Sequence, residues 1–396
     1  RRSVPPRGAK LSRSRAASAA LAAPSPVFLR SLAPASRSGV RILSIDGGGT
    51  RGVLAIQLLR RIEQLAGVPL RSCFDVICGT STGSIIAYLL GVKGLGVDAV
   101  EALYTDLARR AFTKAKGVRS AMYSGQVFAD LLQDHLGQTR MIEDGVAAAA
   151  AGGAGGRTAR VFLVGSLVST YPPLPFLFRT YQHHPDRPSR YPGFCGARAW
   201  EALRATCAAP TFFEPVTIGR GPKMTIVDGG VLHNNPTSLA IHEASCLWPG
   251  RPIASIVSVG TGRPPIAAWR HSLVKTLSTL ISSATDTERT HQVLEDVYPP
   301  HVYHRFNPEH EACAAEIDDA SADTLEVLRN VGKDYVEVED ERLRRAALSL
   351  VELSRERDSD IDDASTRDDP LPGVGDRGAA AAASMAQNEA PRWAHR

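Results

Sequence analysis

Residues 40–67 read VRILSIDGGGTRGVLAIQLLRRIEQLAG, and the order of their parts decides the fold. VRILSI is a short apolar run with glycine before and after it, the signature of a buried strand. Beyond Gly52, apolar residues recur at 54, 58, 62 and 65, and Gly67 follows as a stop, so an amphipathic helix is predicted. Gly47, Gly48 and Gly49 therefore stand between a strand and a helix. A backbone this bare brings N–H groups close to an anion, and the start of a helix adds positive partial charge. A nucleotide phosphate and the oxyanion of an ester under attack both meet that description.

The next unit repeats the order with different punctuation. DVICGTSTGSIIAYLLG, residues 75–91, holds Gly79-Thr80-Ser81-Thr82-Gly83, a G-x-S-x-G between a strand and a helix. A nucleophilic serine on a strained strand-to-helix turn needs glycine on each side, because a side chain there would clash. Further along, RVFLVGSLVS, FLFRTY, KMTIVDGG and IASIVSVGTG read as strands. RAWEALRATCAA, stopped by Pro210, and TSLAIHEASCLW read as helices, and Ser124 is placed to cap a helix over GQVFADLLQDHLG. Alternation of this kind predicts an α/β fold with a largely parallel central sheet and helices on both faces.

Composition bounds the function. The 396 residues carry a formal charge of +5, with nine Lys/Arg and no acid in residues 1–45. The remainder is mildly acidic, 37 basic against 41 acidic residues, so nucleic acid is not an expected partner. Residues 1–39 form an acid-free Ser/Ala/Arg/Pro arm, expected to be disordered and compatible with a mitochondrial targeting segment. One domain is expected over 40–355, interrupted by a flexible Ala/Gly insertion at 146–156 and followed by a disordered tail at 356–396. A long charged helix is predicted from about Thr324 to Arg357. The six cysteines are scattered without a CxxC pair, as in a reduced intracellular protein without zinc. The longest uncharged stretch contains Pro172, Pro173 and Pro175, which excludes a spanning helix there.

A serine nucleophile needs a base within hydrogen-bond reach. His233, His242, His271, His291, His301 and His304 follow the serine, but none is framed by a turn that would present it. Asp228 is framed. It ends the strand of KMTIVDGG, where a loop side chain points out of a parallel sheet toward a site. A turn-forming Asp before two glycines is the other reading of that position.

Together these residues resemble the patatin-like phospholipase family, whose pattern is a D-G-G-G-x-R-G loop, a G-x-S-x-G elbow and a D-G-G or D-G-A turn. The three stand here at 46–52, 79–83 and 228–230. Finer features, among them ALRATCAAPTFFEP, DGGVLHNNP, SIVSVGTGR and SSATDTE, are similar to the calcium-independent phospholipase A2 gamma branch, and the likeness runs from about Arg41 to roughly Asp340. The resemblance implies a three-layer fold in which Ser81 is the nucleophile and Asp228 its general base. It implies that the Gly47, Gly48 and Gly49 amides receive the oxyanion with Arg51 supporting the loop, and that Gly79 and Gly83 frame the elbow. A Ser-Asp dyad calls for no metal and no cofactor. The implied activity is calcium-independent cleavage of fatty-acyl esters of glycerophospholipids, by an intracellular enzyme peripheral to a phospholipid membrane. STYPPLPFLF, 169–178, is a candidate interfacial segment or else a buried strand and loop.

Two readings compete. IDGGGT resembles the phosphate loop of actin-like sugar kinases and ATPases, with VSVGTG at 257–262 as a second loop. In those proteins the loop joins two strands of a hairpin, whereas here a helix is predicted after Gly52, and the 79–83 elbow is left unexplained. The other is a catalytically silent lipid-binding scaffold.

Overall fold

The computed structural model describes residues 39–112, 122–151, 158–219, 223–265 and 287–351. The basic arm, the acidic tail, His271 and residues 152–156 of the Ala/Gly run lie outside them. Among the described residues nine strands join in one sheet: β1 (Val40–Ile45), β2 (Val76–Thr80), β3 (Arg160–Leu167), β4 (Leu174–Arg179), β5 (Gly193–Phe194), β6 (Val216–Ile218), β7 (Met224–Asp228), β8 (Ile253–Val259) and β9 (Tyr303–Phe306). The helices used below are α1 (Gly52–Ala66), α2 (Thr82–Gly91), α3 (Val97–Ala111), α4 (Gly125–Leu136), α5 (Met141–Ala151), α6 (Ala199–Thr206), α7 (Thr237–Leu247), α8 (Glu288–Val297) and α9 (Ala322–Val338).

The strand order is β5-β4-β3-β2-β1-β8-β9, with β7 paired to β3 and β6 to β7. Pairing is parallel from β3 through β2, β1 and β8 to β9, and antiparallel where β4 and β7 meet β3. Helices cover both faces, and the period of two in β1 shows how. Leu43 and Ile45 pack into the core under α1, α2 and α9, while Val40 and Ile42 pack with Leu239, Ala240 and Ala244 of α7. A strand buried on both faces reads as an unbroken apolar run, which is why VRILSI was legible. Gly67, at φ 69°, closes α1 by donating its N–H to the Glu63 carbonyl. Ser124 caps α4 by accepting from the Val127 N–H.

The triple glycine passes directly into a one-turn 3-10 segment, Gly49–Arg51, and then into α1. It joins a strand to a helix, so the hairpin that the kinase reading requires is absent.

Several expectations are corrected. The Ala/Gly run is not an insertion from its first residue: 146–151 complete α5, since alanine is the strongest helix former. The long C-terminal helix is broken at Glu339 into α9 and a segment over 340–351. β7 runs antiparallel to β3, so Asp228 does not leave the end of a parallel strand. Of the two readings of STYPPLPFLF, the buried strand holds for Phe176 and Phe178 of β4, which meet edge to face at 5.1 Å, and only the hairpin tip is exposed.

Strand β9, unforeseen, carries the main buried ion pair beneath the glycine loop. Arg305 Nη2 donates to Asp46 Oδ2 at 2.7 Å and to Glu288 Oε1 at 3.1 Å, and Nη1 donates to Ser258 Oγ at 3.0 Å. Both Arg305 and Asp46 are almost wholly inside. Removing one partner of such a pair leaves an uncompensated buried charge. Arg305→Met is expected to lower the unfolding free energy by about 3–5 kcal/mol. Urea unfolding checks this, and an unchanged midpoint would contradict it.

Candidate active site

Three loops meet at the carboxyl ends of adjacent parallel strands: the glycine loop after β1, the elbow after β2, and Gly260-Thr261-Gly262 after β8. Asp228 arrives by another route. On one flank of β3, β2 pairs with Arg160–Val164 and β7 pairs with Gly165–Leu167. The two strands run in opposite senses and meet head to head, Thr80 opposite Val164 and Asp228 opposite Gly165. The residue after β2 and the last residue of β7 are thereby neighbours. Ser81 Oγ donates to Asp228 Oδ2 at 2.5 Å.

Each flanking glycine has a steric reason. Ser81 is held at φ 52°, ψ −126°, a conformation that L-residues seldom adopt. A Cβ on Gly79 would lie 2.1 Å from the Gly83 carbonyl oxygen, and one on Gly83 would lie 2.5 Å from the carbonyl oxygens of Ile45 and Asp46. Gly229, next to the aspartate, would meet the Val164 carbonyl oxygen at 2.2 Å. The elbow is thus wedged against the first loop and the DGG turn against β3.

Asp228 is nearly enclosed, and burial pushes its carboxyl up to about 6, against the lowering effect of the Ser81 hydroxyl and the Gly230 N–H. That N–H donates to Oδ1 at 2.7 Å, leaving Oδ2 for the serine. Among the described residues no histidine is hydrogen-bonded to Ser81 Oγ or to Asp228. Thr80 Oγ1 donates to the His233 backbone carbonyl at 2.8 Å, while the His233 ring is held below its usual value by burial.

The structure brings the glycine loop to the dyad with one correction. A Cβ on Gly47 would lie 3.1 Å from Ser81 Cβ, but the Gly47 N–H already donates to the Asn234 carbonyl at 3.2 Å. Gly48 and Gly49 have no acceptor for their amides among the described residues, as expected at the start of a helix. Two of the three glycine amides are therefore left without an acceptor among the described residues, rather than all three. Arg51 does support the loop, donating from Nε to the Gly48 carbonyl at 3.3 Å and from Nη1 to the Cys313 carbonyl at 2.9 Å. Tyr104 of α3 donates its hydroxyl to the Gly49 carbonyl.

Sequence reasoning missed several neighbours of the dyad. Cys207, just after α6, is buried beside Asp228, and burial together with that charge raises its thiol. Asn234 lies in the DGGVLHNNP motif, which gave no sign that its backbone would occupy an amide. Ile317 gave no signal at all, yet its carbonyl accepts the Thr50 N–H at 2.8 Å. The open groove on the helical side, lined by Gln57, Arg60, Glu101, Arg329 and Lys333, shares no residue with the dyad.

Comparison with known proteins agrees with this geometry. A family model of patatin-like phospholipases matches residues 43–241, which include the glycine loop, the elbow and Asp228. The chain is 38% identical over 336 residues to human calcium-independent phospholipase A2-gamma, covering 80% of this chain and 40% of that protein. It is 30% identical over 348 residues to phospholipase A I of Arabidopsis thaliana, covering 72% of this chain and 26% of that one. It is 31% identical over 228 residues to the cUMP-AMP-activated phospholipase of Escherichia coli, covering 57% of this chain and 65% of that one. The chain spans about two fifths of the length of the gamma relatives. A strand-glycine-helix unit, a serine elbow and a buried aspartate in contact with it, together with the family match over half the chain, establish that this protein belongs to the patatin-like phospholipase family.

Proposed function

We propose that this chain is a calcium-independent lipid acyl hydrolase that cleaves fatty-acyl esters of glycerophospholipids. The observation that carries the reading is the 2.5 Å contact between Ser81 Oγ and Asp228 Oδ2. Asp228 takes the hydroxyl proton as Ser81 attacks the ester carbonyl, and the negative charge that develops on the carbonyl oxygen falls to the amides of Gly48 and Gly49. Collapse of the tetrahedral species expels the lysophospholipid alcohol, protonated by Asp228, and leaves an acyl-serine. Water, deprotonated in turn by Asp228, releases the fatty acid and restores the serine.

The substrate sits in a bilayer, so the mouth of the site must meet a lipid surface, and we assign that contact to the β3–β4 tip. β3 leaves the sheet at the same edge as β1 and β2, and its hairpin ends in exposed residues: Val168, a fully exposed Tyr171, Pro172 and Pro173. The start of β7 lies alongside, with Val168 N donating to the Thr225 carbonyl at 2.9 Å, and Lys223 just before it is exposed. An aromatic, two prolines and a lysine at a loop tip suit the boundary between headgroups and acyl chains. Among the described residues no helix is long and apolar enough to cross a membrane.

Three outcomes are expected. Phosphatidylcholine turnover persists in excess chelator and is abolished, with fluorophosphonate labelling, in Ser81→Ala; strict need for calcium contradicts the mechanism. Because the base must be ionised and burial holds Asp228 at about 6, kcat/KM rises with pH through about 6 and then levels off. A rate that falls with pH across that window would exclude Asp228 as the base. Tyr171→Ser is expected to weaken co-sedimentation with anionic liposomes roughly tenfold while sparing hydrolysis of a soluble short-chain ester. Unchanged sedimentation would remove the tip from the membrane contact.

A further inference from the structure

The motif VSVGTG, which suggested a second phosphate loop, has no role in the mechanism above, yet it touches the first loop directly. Thr261 is buried immediately beyond β8, and its Oγ1 donates to the Gly47 carbonyl at 2.9 Å. The two are close enough that a Cβ on Gly48 would fall 2.1 Å from Thr261 Oγ1 and 2.6 Å from its Cβ. In a trans peptide the carbonyl of one residue and the N–H of the next point in opposite directions. Pinning the Gly47 carbonyl toward Thr261 therefore turns the Gly48 N–H away from it. Arg51 acts in the same way one peptide further on, since its hold on the Gly48 carbonyl turns the Gly49 N–H. A third gripped carbonyl, that of Gly49 under the Tyr104 hydroxyl, is followed by the Thr50 N–H, which Ile317 accepts, so only the Gly48 and Gly49 amides combine a gripped preceding carbonyl with no acceptor among the described residues.

Thr261 is itself immobilised. The Gly260 N–H donates to the Phe306 carbonyl at 2.8 Å, and the Gly262 N–H donates to Asn307 Oδ1 at 2.9 Å. Both glycines are obligatory, because a Cβ on Gly260 would meet Asn307 Oδ1 at 2.1 Å and Gly262 stands at φ 84°. Asn307 Nδ2 donates to Glu288 Oε1 at 2.8 Å, the carboxylate that also receives Arg305. A rigid turn, not a mobile loop, presents the hydroxyl.

We propose that Thr261 is a positioning residue for ester hydrolysis, whose hydroxyl sets the Gly47–Gly48 peptide so that the Gly48 amide faces the oxyanion before substrate arrives. The inference rests on the assignment of Ser81 as nucleophile. Preorganised donors avoid reorientation at the moment of reaction, and loss of one costs about 10²–10³ in rate. Misaiming rather than deleting a donor is expected to cost somewhat less.

The test compares Thr261→Val, which keeps the shape and removes the hydroxyl, with Thr261→Ser, which keeps the hydroxyl, using a soluble p-nitrophenyl ester. Thr261→Val is expected to lower kcat by roughly 10–100-fold with KM within about twofold, the pattern of an interaction made only in the transition state. Thr261→Ser should recover kcat to within about threefold of the unaltered protein, and the acid limb of the pH profile should stay in place in both, since Asp228 is untouched. Thr261→Ala serves as a second hydroxyl-free variant, with thermal unfolding followed for all three. Any hydroxyl-free variant that is folded and as active as the unaltered protein overturns the proposal, as does equal loss in the Val and Ser variants. Ser81→Ala is measured alongside. If it retains full turnover, the hydrolase reading falls and this proposal with it; if it is inactive while Thr261→Val is not impaired, only the role of Thr261 falls.

Discussion

Everything at the site depends on how one flank of β3 is shared. A strand offers a single row of hydrogen-bonding groups on each side, and here two strands divide one row between them. β2 takes it as far as Val164 and β7 takes it from Gly165 onward, approaching from the other direction. Two chain ends that compete for the same row must stop where they meet. The residues at that junction are Ser81 and Asp228, which are 147 positions apart in the chain. Backbone pairing fixes the junction, so the geometry of the two side chains is inherited from sheet register rather than from loop conformation. Gly165 and Gly229 fit this account, since a side chain at either would push β7 or the turn after it away from β3.

The neighbouring loops obey the same logic of close approach. A donor pair for an oxyanion has to be unsatisfied in the resting protein, while buried amides are ordinarily paired. The glycine loop resolves this by occupying nearly every polar group except two. Asp46 N donates to Val259, Gly47 N to Asn234, and Thr50 N to Ile317, while the carbonyls of residues 47, 48 and 49 accept from Thr261, Arg51 and Tyr104. Selective saturation of this kind leaves the remaining pair conspicuous. It also explains why three glycines are present when only two amides are open: the first must let the chain pass close to the serine.

The sequence was legible where local chemistry and tertiary structure agree. VRILSI, the helix after Gly52, the elbow at 79–83 and the cap at Ser124 each follow from period, glycine placement or side-chain type, and each is found where it was expected. What could not be read was set by partners distant in the chain. YHRF is too short and too polar to announce β9, and the distant Asp46 and Glu288 explain a buried arginine there. The sense of β7 was misjudged because an apolar strand ending in DGG looks the same whether it runs parallel or antiparallel. Phe176 and Phe178 stayed open between an interfacial and a buried reading because an apolar run after prolines looks the same in either setting. Gly47 was miscounted as a donor because backbone occupancy by Asn234 leaves no trace in side-chain identity.

Two aspartates show why contact geometry, more than titration, distinguishes the proposed base. Burial dominates at both Asp46 and Asp228, and both carboxyls are pushed up to about 6. Their surroundings differ in kind. Asp46 faces the Arg305 guanidinium, a permanent cation that opposes the burial effect and would hold any proton acceptor in place as a counterion. Asp228 has only a hydroxyl and one amide as hydrogen-bond partners among the described residues, so nothing cationic ties down its charge. A carboxylate bound to arginine gains by staying ionised, whereas one facing a hydroxyl in a dry site gains by taking that hydroxyl's proton as the ester carbonyl accepts the electrons. The same raised value thus belongs to a structural strut at Asp46 and, under the proposed mechanism, to the proton acceptor at Asp228. The difference lies entirely in which side chain the strand register sets opposite.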